Sequence, residues 1–186
     1  RCLAAQGVQA GDRVALLMNN QAEFFLGVWA ARLLGAVVVP INYFMVPDDI
    51  AYVLQHAAPR FLLADATLAM KLLEQQGGQP PPVPFLLARV PEGSPFAGFS
   101  MEAAMAQQST EPLTASSHSE ELALLLYTSG TTGRPKGVML SEKNLLSNLE
   151  GFTQLLSIRG EQRMLMGLPL FHAYGLICAL YALQQG

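Results

Sequence analysis

Residues 127–138 read Tyr-Thr-Ser-Gly-Thr-Thr-Gly-Arg-Pro-Lys-Gly-Val and lie between two apolar runs. The glycines Gly130, Gly133 and Gly137 free backbone N–H groups to converge on anionic oxygens without interference from a Cβ. The hydroxyls of Thr128, Ser129, Thr131 and Thr132 add donors, and Lys136 supplies a mobile positive charge. Pro135 stiffens the approach to that lysine. The chemistry these residues suit is phosphate binding. Gly, Ser and Thr are also common turn residues, but an exposed hairpin turn needs far fewer of them. Two familiar phosphate loops are excluded by spacing. A Walker A loop needs Gly-Lys followed by Ser or Thr with a helix starting at the lysine, whereas Lys136 precedes Gly137 and a short apolar run. No Gly-x-Gly-x-x-Gly follows a strand-like segment, so the dinucleotide fingerprint fails as well.

A second chemical candidate stands further on, where residues 168–175 read Leu-Pro-Leu-Phe-His-Ala-Tyr-Gly. A single histidine in an apolar stretch is by itself more often a packed residue than a catalyst. The stretch 164–183 contains no Asp, Glu, Lys or Arg over a length that could span a bilayer. Pro169, His172, Gly167 and Gly175 oppose that reading, and a short strand followed by a buried helix explains the same hydrophobicity. His56 and His118 read as surface residues without chemical partners. Trp29, with Phe25 four residues before it, reads as a packing stripe, and the eight methionines as core filler.

The elements that must position these residues follow from periodicity. Residues 13–18 read as a buried strand, and Asn20 with Glu23 three residues on reads as a capped start of a helix to Leu34. Gly35 is its C′ residue, and 36–40 is a second strand. A helix starting at Asp48 or Asp49 after Pro47 runs through His56, 60–64 is a third strand, and 67–75 a further helix. Residues 77–84 and 90–98 are Pro- and Gly-rich surface connectors within a single domain unit spanning 1–186. Between them 85–88 is a strand, and a short helix from Ser100 to Gln107 follows. A polar loop at 109–119 leads into a buried strand at 122–127. After Lys136 the chain returns into another strand, and Ser141 caps a helix to about Leu156. Strands alternating with helices imply an α/β fold, a layered and mainly parallel sheet flanked by helices.

Composition agrees. At 186 residues the chain can bury a sizeable core, and 51% hydrophobic against 13% charged residues requires segments covered on more than one side. The net charge is −3 with eleven scattered Lys and Arg, which excludes a nucleic-acid footprint, so phosphate recognition is local. Cys2 and Cys178 suggest neither a disulfide framework nor a metal spacing, and a reducing cytoplasm fits best, with peripheral membrane association left open. The first residue, Arg1, falls within what reads as the end of a helix, so the chain reads as part of a longer protein.

Residues 127–138 closely resemble the signature loop of the adenylate-forming (AMP-binding) superfamily, which includes acyl- and aryl-CoA synthetases, beetle-type luciferases and peptide-synthetase adenylation domains. Gly11-Asp12-Arg13-Val14-Ala15 with Asn19, and Gly35-Ala36-Val37 with Pro40 and Asn42, resemble its early strands. Residues 168–175 resemble a motif typical of the CoA ligases and luciferases, which tilts the resemblance toward an acyl-CoA synthetase of fatty-acid type. One departure is Glu142, where many relatives carry His.

The resemblance implies that the chain is part of the large N-terminal domain of such an enzyme. Its function would be ATP-dependent activation of a carboxylic acid, fatty by this likeness, through an acyl adenylate, followed by thioester formation with CoA; ATP, Mg2+, CoA and a small-molecule carboxylic acid are the implied partners. It assigns Thr128, Ser129, Gly130, Thr131, Thr132, Gly133 and Lys136 to ATP phosphate binding. It places His172 at the meeting point of carboxylate, nucleotide and thiol, as a gating or positioning catalytic residue, with Phe171, His172, Tyr174 and Gly175 along the substrate pocket. For Tyr174 and Gly175, simple packing at a helix start is the open alternative. Relatives carry an acidic magnesium motif, a ribose-binding aspartate and a C-terminal domain with a catalytic lysine, none of which falls within 1–186. The isolated segment is therefore expected to be inactive without the remainder of the parent chain. Two rival readings stay open: an adenylation domain that loads a carrier protein, and a non-catalytic nucleotide-binding fragment.

Overall fold

The structure, a computed structural model, describes residues 1–78, 80–81, 83–113, 121–128, 133–156 and 163–185. In chain order the elements are α1 (Cys2–Ala5), β1 (Arg13–Leu17), α2 (Ala22–Leu33), β2 (Val37–Pro40), α3 (Pro47–Ala57), β3 (Phe61–Asp65), α4 (Ala66–Gln75) and β4 (Phe85–Ala88). A 3-10 turn at Ala97–Phe99 precedes α5 (Met101–Ala106), β5 (Leu122–Thr128), β6 (Lys136–Ser141), α6 (Glu142–Leu155) and α7 (Ala173–Gln185). The six strands form one sheet in the order β4-β3-β1-β2-β5-β6, parallel throughout except for the antiparallel pair β5 and β6.

The apolar runs are continuous because both sheet faces are covered. Val14 and Leu16 of β1, Phe61 and Leu63 of β3 and Leu124 and Leu126 of β5 face one core with α2, α5 and α7. Ala15 and Leu17, Leu62 and Ala64, and Leu125 and Tyr127 face the other, with α3 and α4. Gly27 lets α2 approach closely, since a Cβ there would lie 2.9 Å from a Leu16 methyl and 3.1 Å from a Leu63 methyl.

The expected helix end at Gly35 forms as a Schellman motif. Gly35 takes φ +71°, its N–H donates to Arg32 O at 2.9 Å, and the Ala36 N–H donates to Ala31 O at 2.9 Å. Ser141 caps α6 through a reciprocal box with Asn144, and Ser100 caps α5. Asp65 caps α4 by accepting from the Thr67 and Leu68 N–H groups. The expected cap at Asn20 does not form: α2 starts after Gln21, and the Asn20 amide is used elsewhere, as described below. Helix α3 begins at Pro47 itself, because a proline at the first helical position lacks only an N–H that would have no partner there.

The strand expected before the last helix is also absent. Residues 163–170 are irregular and carry an almost fully exposed Leu165. A strand needs a neighbour for its backbone groups, and the backbone groups of Leu168 and Leu170 bond instead to the Asn20 side chain. No helix among the described residues is long and apolar enough to cross a membrane. Of the polar loop at 109–119, residues 114–119 lie outside the described residues, and His118 with them.

Candidate functional site

The loops leaving β1 and β2 run to opposite faces of the sheet, since α2 packs in one core and α3 in the other. Neighbouring strands with diverging exits leave a crevice beyond their carboxyl ends, the usual ligand position in open α/β sheets. The segment before α7 closes over this point. The Asn20 side chain, just past β1, donates to Leu168 O at 2.7 Å and accepts from the Leu170 N–H at 2.9 Å. From beyond β2, Tyr43 and Phe44 meet the Phe171 ring edge-on, with centroids 5.0 and 5.8 Å away. Asn20 gives up its local cap because two backbone groups of an irregular segment need it more.

His172 is exposed and sits at the N-cap position of α7. Its N–H donates to Pro169 O at 3.1 Å, and its Nδ1 accepts from the Tyr174 N–H at 3.3 Å. With Nδ1 used as acceptor, Nε2 is the protonated nitrogen. Tyr174 is exposed and lies 6.2 Å from the Phe152 ring. Gly175 is buried, and a Cβ there would run into the carbonyl oxygen of Pro169.

Thr128 ends β5 and Lys136 opens β6, and the two face each other across the antiparallel ladder. Both are exposed, as is Gly133, while Pro135 is buried. Among the described residues no carboxylate pairs with Lys136. Ser129, Gly130, Thr131 and Thr132 lie outside the described residues. Tyr127 pairs with Gly137, whose missing Cβ leaves room for the Tyr127 ring, at 3.3 Å from Cζ. The Tyr127 hydroxyl lies 2.7 Å from His56 Nδ1, and burial, with a further push from the Tyr52 phenol, raises its pKa above the ordinary tyrosine value. A phenol that keeps its proton can serve this bond as donor.

The sequence reading left His56 without a partner and Arg134 without a role. The structure gives both one: His56 stacks on Tyr52 at 5.4 Å, and the Arg134 guanidinium lies over the other end of this array, 5.2 Å from the Tyr52 ring centre. The signal available in sequence was the four-residue spacing of Tyr52 and His56 on a predicted helix. Tyr43, Phe44 and Asn20 carried no comparable signal, since their contacts span about 130 to 150 residues of chain. Glu142, the departure from the resemblance, is bonded at 2.7 Å to Arg32 of α2, which also donates to Ala36 O at 2.7 Å. The start of α6 is thereby tied to the end of α2.

A mainly parallel sheet covered by helices on both faces, with a hairpin mouth and a histidine-bearing turn at the carboxyl ends of its strands, defines an α/β protein with a ligand crevice at that end. The family model for AMP-binding enzymes matches residues 1–186, and the chain belongs to that family. It is 30% identical over 186 residues to the long-chain-fatty-acid–CoA ligase FadD13 of Mycobacterium tuberculosis, covering 99% of this chain and 35% of that protein. It is 32% identical over 186 residues to a feruloyl-CoA synthase of Amycolatopsis, covering 99% of this chain and 34% of the relative. Its fold matches the inhibitor-bound N-terminal domain of FACL13 from M. tuberculosis with a TM-score of 0.85 at 28% identity, covering 99% of this chain and 44% of that one. The chain thus spans about a third of the length of the curated relatives it matches.

Proposed function

We propose that the parent protein is an acid–thiol ligase that activates a carboxylic acid with ATP and passes the acyl group to CoA. The observation that carries this reading is the exposed pair Thr128 and Lys136, facing each other at the mouth of the hairpin whose loop holds the glycine and threonine run. In the first step a carboxylate oxygen bonds to the α-phosphorus of ATP and pyrophosphate leaves with the electrons of the broken P–O bond. In the second, the CoA sulfur bonds to the acyl carbon, AMP departs, and the thiol proton is released.

Protein help in phosphoryl transfer is mostly positioning and charge stabilisation. Thr128, Ser129, Gly130, Thr131, Thr132 and Gly133 supply hydroxyl and amide donors to the β- and γ-phosphates, and Lys136 supplies the compensating charge. Among the described residues no group of three or more His, Cys, Asp or Glu could hold a metal ion. In the parent, Mg2+ would share the charge of the phosphates that Thr128 and Lys136 face, with its carboxylate ligands supplied by the acidic motif that the resemblance places outside 1–186.

His172 acts as a gating or positioning residue, because a carboxylate nucleophile needs no deprotonation at neutral pH. Its Nδ1, held by the Tyr174 N–H, supports that role by fixing the ring and leaving Nε2 as the protonated nitrogen. Phe171, Tyr174 and Gly175 border the acyl or aryl pocket in this reading. The fatty-acid preference draws on FadD13, the relative named above for long-chain fatty acids, while the feruloyl-CoA synthase supports the aryl alternative. The parent works in the cytoplasm, and the 186 residues alone form an incomplete part of its N-terminal domain.

The test is Lys136→Ala in the full-length parent, read as carboxylate-dependent exchange of pyrophosphate into ATP. A fall in kcat/KM for ATP on the order of tenfold or more is expected from loss of a charge-assisted phosphate contact. Unchanged kinetics would sink the assignment. Offering free CoA against a phosphopantetheinyl carrier protein separates the ligase from a carrier-loading domain.

A further inference from the structure

Among the described residues strand β6 is the edge of the sheet, bonded only to β5, and the hairpin mouth formed by Thr128 and Lys136 lies at the end of that pair. The end of an edge hairpin has few contacts of its own and frays easily unless something holds it. Here α3, from a different part of the chain, holds it from both sides. Tyr127, directly before Thr128, places its hydroxyl 2.7 Å from His56 Nδ1. Arg134, two residues before Lys136, lies with its guanidinium 5.2 Å from the Tyr52 ring centre. Tyr52 and His56 stack on each other, one helical turn apart, with centroids at 5.4 Å and planes inclined by 24°.

The support under this array is rigid. The Arg13 guanidinium of β1 donates to Ala57 O at 2.8 Å and Ala58 O at 2.9 Å, which fixes the carboxyl end of α3 one residue beyond His56. A continuous path of contacts therefore runs from the central strand, through α3, to the residues on either side of the hairpin mouth. Gly137 adjoins the same array: a Cβ there would come 2.9 Å from a Leu125 methyl and 3.3 Å from Tyr127 Cζ, so a side chain would crowd both.

We infer that Tyr52 and His56 are positioning residues: they hold Tyr127 and Arg134 so that Thr128 and Lys136 meet a triphosphate in one fixed geometry. The inference rests on the phosphate-binding reading of Thr128 and Lys136. A bonded imidazole–phenol pair and a cation over a ring are directional contacts, and together they fix both the height and the twist of the hairpin end. Among the described residues no hydrogen bond or ring contact joins this array to the segment at 168–174, so its effect is assigned to the nucleotide and not to the carboxylic acid.

The experiment uses the full-length parent and measures KM for ATP and for the carboxylic acid separately by pyrophosphate exchange. His56→Ala and Tyr127→Phe each remove one partner of the same bond, and each is expected to raise KM for ATP about three- to tenfold, with KM for the acid within about twofold of the parent. The double variant should be no worse than His56→Ala alone, because Tyr127→Phe removes a bond that His56→Ala has already deleted. His56→Asn, whose amide reaches the place of Nδ1, should restore most of the ATP affinity. The inference is overturned if both single variants leave KM for ATP within about twofold, or if KM for ATP and acid rise together as in general damage to the fold. Lys136→Ala in the same assay separates the two levels. If it lowers exchange while the His56 and Tyr127 variants are silent, the positioning role alone fails; if it is silent too, the phosphate reading fails with it.

Discussion

At Gly175 a single methyl group would collide with the backbone that shapes the turn before α7. The Pro169 carbonyl that a Cβ would strike also accepts the His172 N–H, so relief of the collision has to move the turn carrying the histidine. Backbone cannot swing aside as a flexible side chain can, and overpacking of this kind costs about 1 to 3 kcal/mol. Gly175→Ala is therefore expected to lower the denaturant midpoint of the purified chain with an unchanged m-value, as for a pure loss of stability. An unshifted midpoint would mean that the turn relaxes freely and that Gly175 is not required by packing. The sequence reading left this position between a pocket border and packing at a helix start, and the crowding at Pro169 supports the packing alternative. Asn20 illustrates the opposite case. Its local spacing to Glu23 fits a helix cap, yet its amide serves Leu168 and Leu170, which lie about 150 residues away and could not enter a local argument. His56 failed to be legible for the same reason: its partner Tyr127 is distant in the chain and adjacent only once β5 and α3 share a sheet face.

Helices α2 and α5 are joined electrostatically through Arg89, which follows β4 with φ +57°. Glu23 of α2 bonds its guanidinium at 3.1 and 3.2 Å, and Glu102 of α5 accepts from its backbone N–H at 2.9 Å. The Arg89 side chain holds the Glu23 carboxyl below the ordinary glutamate value. For Glu102 burial works against the charge, but the Arg89 N–H, its own N–H and the Ser100 hydroxyl outweigh it, so this pKa also lies low. A carboxyl whose folded pKa is depressed stabilises the fold fully above its unfolded pKa and loses that contribution as the pH falls through the folded value. The Glu23→Gln/Glu102→Gln variant should accordingly lose less Tm than the parent sequence between roughly pH 5 and pH 3, with the two curves diverging most at the upper end. Parallel slopes in a thermal melt series would refute the linkage. Strands were the most legible elements: β4 matches its expected span, and β1, β2, β3 and β5 differ by a residue or so at an end, because runs such as Val14–Leu17 are apolar on both faces. The charge-free stretch from Met164 reads as a short strand before the last helix, yet 164–170 is irregular. What it lacks is a neighbour, and a neighbour is a property of the sheet that hydrophobicity along one segment does not contain.

Across the whole molecule burial is uneven in a way that bears on activity. The central strands β1 and β3 are buried on both faces, whereas no residue of α6 is buried and β6 exposes Met139 to 68%. Leu155 and Leu165 extend the same apolar exposure beyond the hairpin. Thr128 and Lys136, the described ends of the proposed phosphate loop, are thus mounted on the less covered half of the fold, whereas His172 precedes the well-buried α7. Adenylation asks for more than donors. The carboxylate, the α-phosphorus and the departing pyrophosphate must be held in line in a site that excludes water, and misplacement by about 1 Å can cost on the order of a hundredfold. The family resemblance puts the acidic magnesium motif, the ribose-binding aspartate and the catalytic lysine outside residues 1–186, and the chain spans 35% of its relative FadD13. The purified 186-residue chain should therefore show carboxylate-dependent pyrophosphate exchange at background under conditions in which the full-length parent is active. Because groups that act as one catalytic unit lose most of their effect when any is removed, Lys136→Ala should change nothing measurable in the short chain while it lowers exchange in the long one. Robust exchange by the short chain, abolished by Lys136→Ala, would show instead that the hairpin and the His172 turn suffice for the first half-reaction and that the missing groups serve only the second.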